Sequence, residues 1–348
     1  MSDVSAIQTE LQCMDCAGQC LYDPAQQALV CLSCGNARRL EEEDDARAWV
    51  EFPFDPMAPA VENPITFRGH VQSCETCGGT VTFVAGSLSS ACAYCDGPVV
   101  LQRADRAFAP MALIPFEVPE QNAQDFALHW VKKRIAAPND LQDHVAKGRV
   151  VGIYVPFWTF DSEEAVDYWA MYTVRRNKQT ITKKIKGSMR TSFDDLLVPA
   201  SPHVTPLIRD GILHDFDPTR LRPYRAGYVA GMAAEQHHQT VAEGLAANAR
   251  DKALLMRNRI KRHINRSGVH NINYNTDTTG IHFRRILLPV WILHYQYNGK
   301  PMKVVVCGMR GRTYGERPFS MWKLAGYSAL LSAIAVGIGL AWGAAGIL

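Results

Sequence analysis

Apolar residues change their spacing from one segment of this chain to the next, and each spacing predicts an element. In "EQNAQDFALHWVKKRI", starting at Glu120, Ala123, Phe126, Ala127 and Trp130 fall at helical intervals, which predicts a helix that stops before Pro138. The preceding stretch from Asp96 to Pro119 reads as a linker with one strand in "MALIPF". "VVGIYVPFWTFD" is dense in β-branched and aromatic residues, and "AVDYWAMYTV" alternates, so two strands of an antiparallel pair are predicted. "RRILLPVWILHYQYNGKPMKVVVCG" repeats the Pro156-x-Trp158 pattern as Pro289-x-Trp291. Its Asn298-Gly299 dipeptide signals a two-residue hairpin, because both central positions of a type I′ turn need positive φ. Both pairs are expected in one curved antiparallel sheet. Between them, roughly from Gln239 to Asn265, the residues Val241, Leu245, Ala249, Ala253, Met256, Ile260 and Ile264 form one stripe and predict a long helix. Arg257, Arg259, Lys261 and Arg262 near its C-terminal end suit the helix dipole.

The pattern changes again at the C-terminus. "LAGYSALLSAIAVGIGLAWGAAGIL", Leu324 to Leu348, has no charged residue in 25 positions. As a helix it extends about 37 Å, against a hydrocarbon core of about 30 Å. Core helices of that length usually keep a polar face, so residues 322–348 are predicted to span a membrane, with Trp322 and Lys323 at the interface. Arg310, Arg312, Arg317 and Lys323 lie upstream, and the positive-inside rule makes that flank cytoplasmic. The expected arrangement is a single-pass tail anchor in the cell inner membrane with the soluble part in the cytoplasm. Gly339 and Gly343 form a G-x-x-x-G, a spacing at which two helices approach closely. Five glycines in the segment make that match unspecific, and self-association stays open.

The cysteines add chemistry. Cys13, Cys16, Cys31 and Cys34 recur as Cys74, Cys77, Cys92 and Cys95, each displaced by 61 positions. The start "MSDVSAIQTE" lacks a basic region and an apolar run, so no signal peptide is expected and the thiols should stay reduced. Two Cys-x2-Cys knuckles separated by a short hairpin place four thiolates around one zinc, so two structural zinc ions are predicted. The residue after each knuckle's second cysteine favours positive φ. Gly35 and Gly78 suit it, Asp96 tolerates it, and Ala17 fits poorly. Cys20 and Cys307 read as buried free thiols. A four-cysteine zinc has no open position for water or substrate, so these sites are not catalytic.

Charge refines the picture only locally. The net charge is +3, but residues 1–60 hold three basic against eleven acidic residues, which leaves −8 there and +11 for the remainder. "EEEDD", Glu41 to Asp45, reads as a solvated linker and opposes a nucleic-acid backbone. "MYTVRRNKQTITKKIKGSMR" carries Arg175, Arg176, Lys178, Lys183, Lys184, Lys186 and Arg190 with no acid. Three readings stand for it: a solvated strand face, an anionic membrane surface, or nucleic acid. No phosphate loop, dinucleotide fingerprint, H-E-x-x-H or G-x-S-x-G occurs. His237-His238, Glu163-Glu164 and Asp194-Asp195 are adjacent pairs whose side chains diverge, so an acid–base couple or joint metal site is not expected from them. No enzyme is predicted.

"CETCGG", "CAYC", "YVPFWTFD", "LLPVW", "YNGKP" and "GERPFS" before an apolar segment resemble a group of bacterial membrane-bound proteins with zinc ribbons of the transcription-factor-IIB type. Members of that group are often labelled after the primosomal replication helicase, an activity that does not carry over without an ATP-binding loop. The resemblance implies docking of phage-shock-type or flotillin-like protein partners. Typical knuckles have Pro after the first cysteine, where this chain has Met14, Leu32, Glu75 and Ala93. The expected fold class is α+β: zinc ribbon 1 (1–40), acidic linker (41–66), zinc ribbon 2 (67–100), an antiparallel-sheet domain with a long helix (101–320), and the membrane anchor (322–348). The expected function is a tail-anchored adaptor; the rival is a membrane-tethered nucleic-acid-binding protein without helicase activity.

Overall fold

The computed structural model describes residues 10–40, 50–59, 62–67, 70–83, 89, 91–102, 105–176 and 179–345. The acidic run Glu41–Asp45 lies outside them. Near the N-terminus β1 (Cys20–Asp23), β2 (Ala28–Cys31) and β3 (Ala37–Arg39) make a small antiparallel sheet of their own. After β4 (Phe52–Pro53) and β5 (Ile65–Phe67), the second cysteine group is framed by β6 (His70–Cys74), β7 (Thr80–Phe83) and β8 (Val99–Gln102). β9 (Asp105–Ala107) pairs with β5, and β10 (Ala112–Leu113) precedes the helices α1 (Glu120–Lys132) and α2 (Leu141–Ala146).

Two strands of 28 residues form the spine: β11 (Arg149–Arg176) and, after β12 (Gln179–Pro199), α3 (Pro206–Leu213), β13 (Arg222–Pro223), β14 (Ala233–Ala234) and α4 (Val241–Ile264), the strand β15 (His270–Tyr297). β16 (Lys300–Cys307), β17 (Thr313–Gly315) and α5 (Met321–Ala345) complete the chain's described part. Among the described residues the spine belongs to a 12-stranded sheet in the order β13-β10-β15-β11-β14-β7-β6-β8, with β12 on β11, β4 and β16 on β15, and β17 on β16.

Three expectations need correction. "VVGIYVPFWTFD" and "AVDYWAMYTV" are one strand, β11, not a pair. The intervening "DSEE" has no Gly, Pro or Asn to turn the chain, and register shifts next to Ser162 absorb the irregularity instead. The partner of both halves is β15, antiparallel from Arg149↔His294 to Met171↔His270. The sheet is also mixed and not purely antiparallel, because β10 runs parallel to β15 and β14 parallel to β11. Finally, the stripe on α4 is imperfect: Ala249 is exposed while Gly244 and Asn248 are buried. Gly244 lies against the Trp158 indole, where a Cβ would come within 2.8 Å of Nε1.

Other expectations hold. Thr240 accepts from the Glu243 N–H and the Glu243 carboxylate accepts from the Thr240 N–H, so a capping box starts α4. Asn265 at φ 48° ends it. Asn298 and Gly299 have φ of 49° and 72°, as the hairpin requires.

Alternation along the spine divides the core in two. Tyr154, Leu287, Trp291 and Leu293 face α1, α2 and the first cysteine module. Ile153, Val155, Phe157, Ile286 and Leu288 face α3 and the second module. Beyond Asp161 the spine and β12 continue as a three-stranded arm whose one face, with Val166, Tyr168, Ala170 and Phe193, is covered by Met256, Ile260 and Ile264 of α4. α5 starts at the other end of β15. The Lys323 ammonium donates to the Ala137 carbonyl at 2.7 Å and the Ser320 N–H to Ala136 at 2.9 Å. Past that foothold the helix is uncovered, with Leu331 66% and Trp342 78% exposed.

Candidate metal centres and the charged arm

The four knuckles share one backbone geometry. The N–H of Ala17, Gly35, Gly78 and Asp96 donates to the carbonyl of Cys13, Cys31, Cys74 and Cys92 at 2.9, 3.0, 3.0 and 3.1 Å. All four donors sit at positive φ: 56°, 73°, 75° and 64°. In return the N–H of each of those cysteines donates to the carbonyl of Gly18, Asn36, Gly79 and Gly97 at 2.8, 2.9, 2.9 and 2.8 Å. The turn curls the backbone so that both thiols of a knuckle point to the same spot. It also forces Ala17 into the left-handed region that its Cβ resists.

The sulfurs converge accordingly. Cys13···Cys34 is 3.6 Å, Cys16···Cys31 3.5 Å, Cys74···Cys95 3.5 Å and Cys77···Cys92 3.8 Å. In each group the four sulfurs lie within 4.8 Å of one another, and all eight are free thiols. A tetrahedron with Zn–S bonds of about 2.3 Å has edges of about 3.8 Å, so both groups fit one tetrahedral ion each. Backbone amides add to the preparation: the N–H of Thr76 and Cys77 points at Cys74 Sγ, and that of Tyr94 at Cys92 Sγ, at 3.3, 3.5 and 3.3 Å. Burial pushes the Cys74 thiol up, but the Cys77 and Thr76 amides outweigh it and bring it down to about 7. The amides of Cys34 and Ser33 bring Cys31 to about 6. Burial drives Cys92 upward, and burial also helps raise Cys95 to about 11. Without a cation, four thiolates this close cannot all ionise; a divalent ion removes that conflict, and four sulfurs leave it no position for substrate.

The two modules differ in attachment. The first is held by packing: Tyr22 stacks edge-on to Tyr228 at 5.6 Å, its hydroxyl donates to the Phe116 carbonyl at 3.3 Å, and its N–H to Ala230 at 3.1 Å. The second is part of the large sheet, because β7 pairs with β14 and β14 with β11. A buried polar clamp grips its second knuckle. Tyr94 donates to Glu235, which also accepts from Ser201 at 2.7 Å. His294 Nε2 lies 2.9 Å from the Ala93 carbonyl, and Arg149 reaches the Cys92 carbonyl at 3.1 Å and Asp96 at 2.8 Å. Cys20 and Cys307 are buried, as expected of free thiols.

Sequence reasoning missed the buried carboxylates. Glu164, the second of the adjacent glutamates, is buried and pairs with Lys252 at 2.5 Å. Burial pushes its carboxyl up, but Lys252, Thr278, Thr276 and Ser162 outweigh it and hold it below the usual range. The signal was present: Glu164 shares the inward parity of Val166 and Tyr168 in an alternating strand. Asp195, the second of the adjacent aspartates, ion-pairs with Arg284, which also meets Glu51 at 3.0 Å. Glu51, Asp161 and Asp195 converge within 4.8 Å. Burial first and Asp161 second raise Glu51 to about 7. The part of the acidic segment nearest the domain therefore neutralises buried arginines, since Glu62 likewise pairs with Arg285.

The basic residues do not form one patch. Lys178 lies outside the described residues, and of Arg176 only the backbone position at the end of β11 is described. Arg175, Lys183, Lys184, Lys186 and Arg190 are exposed. Lys184, Lys186 and Arg190 alternate onto the open face of the arm opposite Met171, Trp169 and Ala165, and Lys184 lies 4.7 Å over the Trp169 ring. Glu163, Asp167 and Asp277 share that face. The hairpin is at the far end of β11 and β15 from the foothold of α5. His237 and His238 diverge as expected, the first buried and the second exposed. Gly339 lies on the uncovered part of α5 with no neighbour within 4 Å, and Gly343 is in the same helix.

No protein-family model matches the chain, and no solved structure matches it. The chain is 25% identical over 344 residues, 95% of its own length and 95% of the relative's, to the uncharacterized protein YdjG of Bacillus subtilis (strain 168). Similarity that runs the full length of both chains makes the two proteins homologues, with the four-cysteine modules, mixed sheet and apolar C-terminal helix as the architecture of this one.

Proposed function

We propose that this chain is a membrane-tethered adaptor. Two zinc ribbons of the transcription-factor-IIB type, fixed to a rigid mixed sheet, present binding surfaces to protein partners on the cytoplasmic side of the inner membrane, and α5 is the anchor. The observation that carries the reading is α5 itself: its first 22 residues, Met321–Trp342, are long and apolar enough to cross a bilayer, and their most apolar stretch has nothing buried against the domain. The closed four-thiolate geometry supports a binding role in place of a catalytic one. Phage-shock-type or flotillin-like proteins are the partners that the sequence resemblance suggests.

The rival reading, a tethered nucleic-acid binder, draws on Lys184, Lys186 and Arg190. Glu163, Asp167 and Asp277 among them oppose a phosphate backbone, so the adaptor is favoured. The test compares the full chain with one ending at Ser320. The full chain should stay in the membrane fraction until detergent is added, the shortened chain should be soluble, and both should carry two zinc ions. Full-length protein in the soluble fraction without zinc would sink the reading. Sub-micromolar DNA or RNA binding that collapses with added salt would install the rival.

A further inference from the structure

The loop that follows α1 lies alongside the foot of α5. Three contacts fix their relative depth. The Ser320 N–H donates to the Ala136 carbonyl at 2.9 Å, the Lys323 ammonium to Ala137 at 2.7 Å and the Tyr327 hydroxyl to Ile135 at 3.4 Å. Tyr327 stands about 9 Å further along the helix than Met321. Ile135 is therefore level with the second turn of α5, and it is 72% exposed. Phe319, Met321 and Trp322 at the foot are exposed as well. Arginines stand next to this apolar group. The guanidinium carbons of Arg134 and Arg317 lie 4.6 and 5.8 Å from the Trp130 ring centroid. Each has a buried Nε without a hydrogen-bond partner, and among the described residues neither ion-pairs with a carboxylate. Other cations upstream of α5 differ: Arg310 pairs with Asp217 at 3.7 Å and Arg312 with Asp215 at 3.0 Å. The acids closest in sequence are engaged elsewhere. Glu316 accepts from the Lys303 N–H at 3.3 Å, and Asp140 from the Tyr297 hydroxyl at 3.2 Å. Lys133, three positions after Trp130 and so on the same side of α1, is exposed.

We propose that the loop 133–137, together with Arg317, is a lipid-binding foot of the domain. Ile135 enters the bilayer beside α5, and Arg134, Arg317 and Lys133 hold the phosphate of an anionic phospholipid. This rests on the reading of α5 as an anchor. A loop level with the first two turns of a spanning helix lies at headgroup depth, not in bulk water. Acidic lipid phosphates stand at that depth. An exposed isoleucine gains there by leaving water. An arginine without a carboxylate gains a phosphate, whose oxygens match the planar guanidinium fork. Indole rings such as those of Trp130 and Trp322 favour the same zone. An acidic protein would supply the charge, but the bilayer that α5 enters already fills the space around Tyr327.

The test places the full chain in nanodiscs of phosphatidylcholine, alone or mixed with phosphatidylglycerol. Amide exchange is read over 132–137, and native mass spectrometry identifies the lipid that stays bound. Exchange should be slower in the anionic discs, and phosphatidylglycerol should be retained in preference to phosphatidylcholine. Arg134→Gln with Arg317→Gln removes two basic residues and should lower that preference about 30-fold. The difference in exchange should vanish with it. Lys184→Gln with Lys186→Gln, in the arm, should change neither readout. Equal exchange in the two discs would overturn the proposal and leave the anchor standing, as would an unchanged preference in the double-arginine variant. Inorganic phosphate that slows exchange equally in neutral discs would make this a free-anion site and overturn it too. A chain that enters neither disc would remove the anchor and the foot together. If the arginine variant loses its zinc, the wild type decides alone, through its exchange in the two discs.

Discussion

The two cysteine modules have the same knuckles and different roles in the fold. Each first cysteine accepts and donates the same two backbone hydrogen bonds, and the sulfurs close to similar distances. Yet the first module keeps its own three-stranded sheet and docks through Tyr22, while the second lends β6, β7 and β8 to the large sheet and buries Tyr94 against Glu235. Repetition in sequence thus set the local thiol geometry twice, and the surroundings decided how far each cysteine group is coupled to the remainder. Removing metal from the second should be felt by the whole domain, and from the first mainly by itself.

Cys92→Ser against Cys16→Ser is the strongest way to break this comparison. Cys92 is buried beside the domain core, so its loss should cost one zinc ion and on the order of 5 kcal/mol of domain stability. Cys16 is exposed, and its loss should cost one zinc ion and leave the main unfolding transition in place. Zinc analysis with urea unfolding reads both; equal destabilisation by the two variants would show that the modules are coupled alike.

Acid should discriminate next. His237, two residues beyond the clamp residue Glu235, is held neutral: burial lowers it to about 3 against a hydrogen bond from the ring to the Phe157 carbonyl. A histidine with a depressed folded pKa contributes stability that is complete above its unfolded value of 6.5 and is lost as pH falls toward about 3. Between pH 7 and pH 5 that loss is about 2 kcal/mol from this group. His237→Gln should remove that part of the slope in urea midpoints, and the first module's zinc content should be unaffected by the substitution. A slope identical in the two proteins would refute the assignment.

The smallest effect sharpens the comparison at the knuckle itself. Ala17 is the one knuckle turn residue with neither glycine's freedom nor a side chain that helps it adopt φ 56°. Ala17→Gly should tighten the first module by about 1 kcal/mol, measured as slower zinc transfer to a chelator. The same change at Asp96 should not tighten the second, because Asp96 holds Arg149.

Much of this protein was legible before folding. The repeat at 61 positions picked out the eight cysteines that converge in two groups of four, since a knuckle is a local turn whose geometry six residues can specify. The apolar stretch that forms α5, the Asn298-Gly299 hairpin and the extent of α4 were also readable, because each rests on periodicity or on a backbone conformation that few residues allow. The continuous strand β11 was not, because a bulge and a turn differ only in what pairs alongside. Nor were the parallel ladders at Ala112 and Ala233, two residues long and set by neighbours far along the chain. The burial of Glu164 and the half-burial of Asp195 depended on Lys252 and Arg284. Sequence determined what each segment is by itself; only tertiary structure decided which segments share a sheet, because pairing and burial depend on contacts that no local pattern contains.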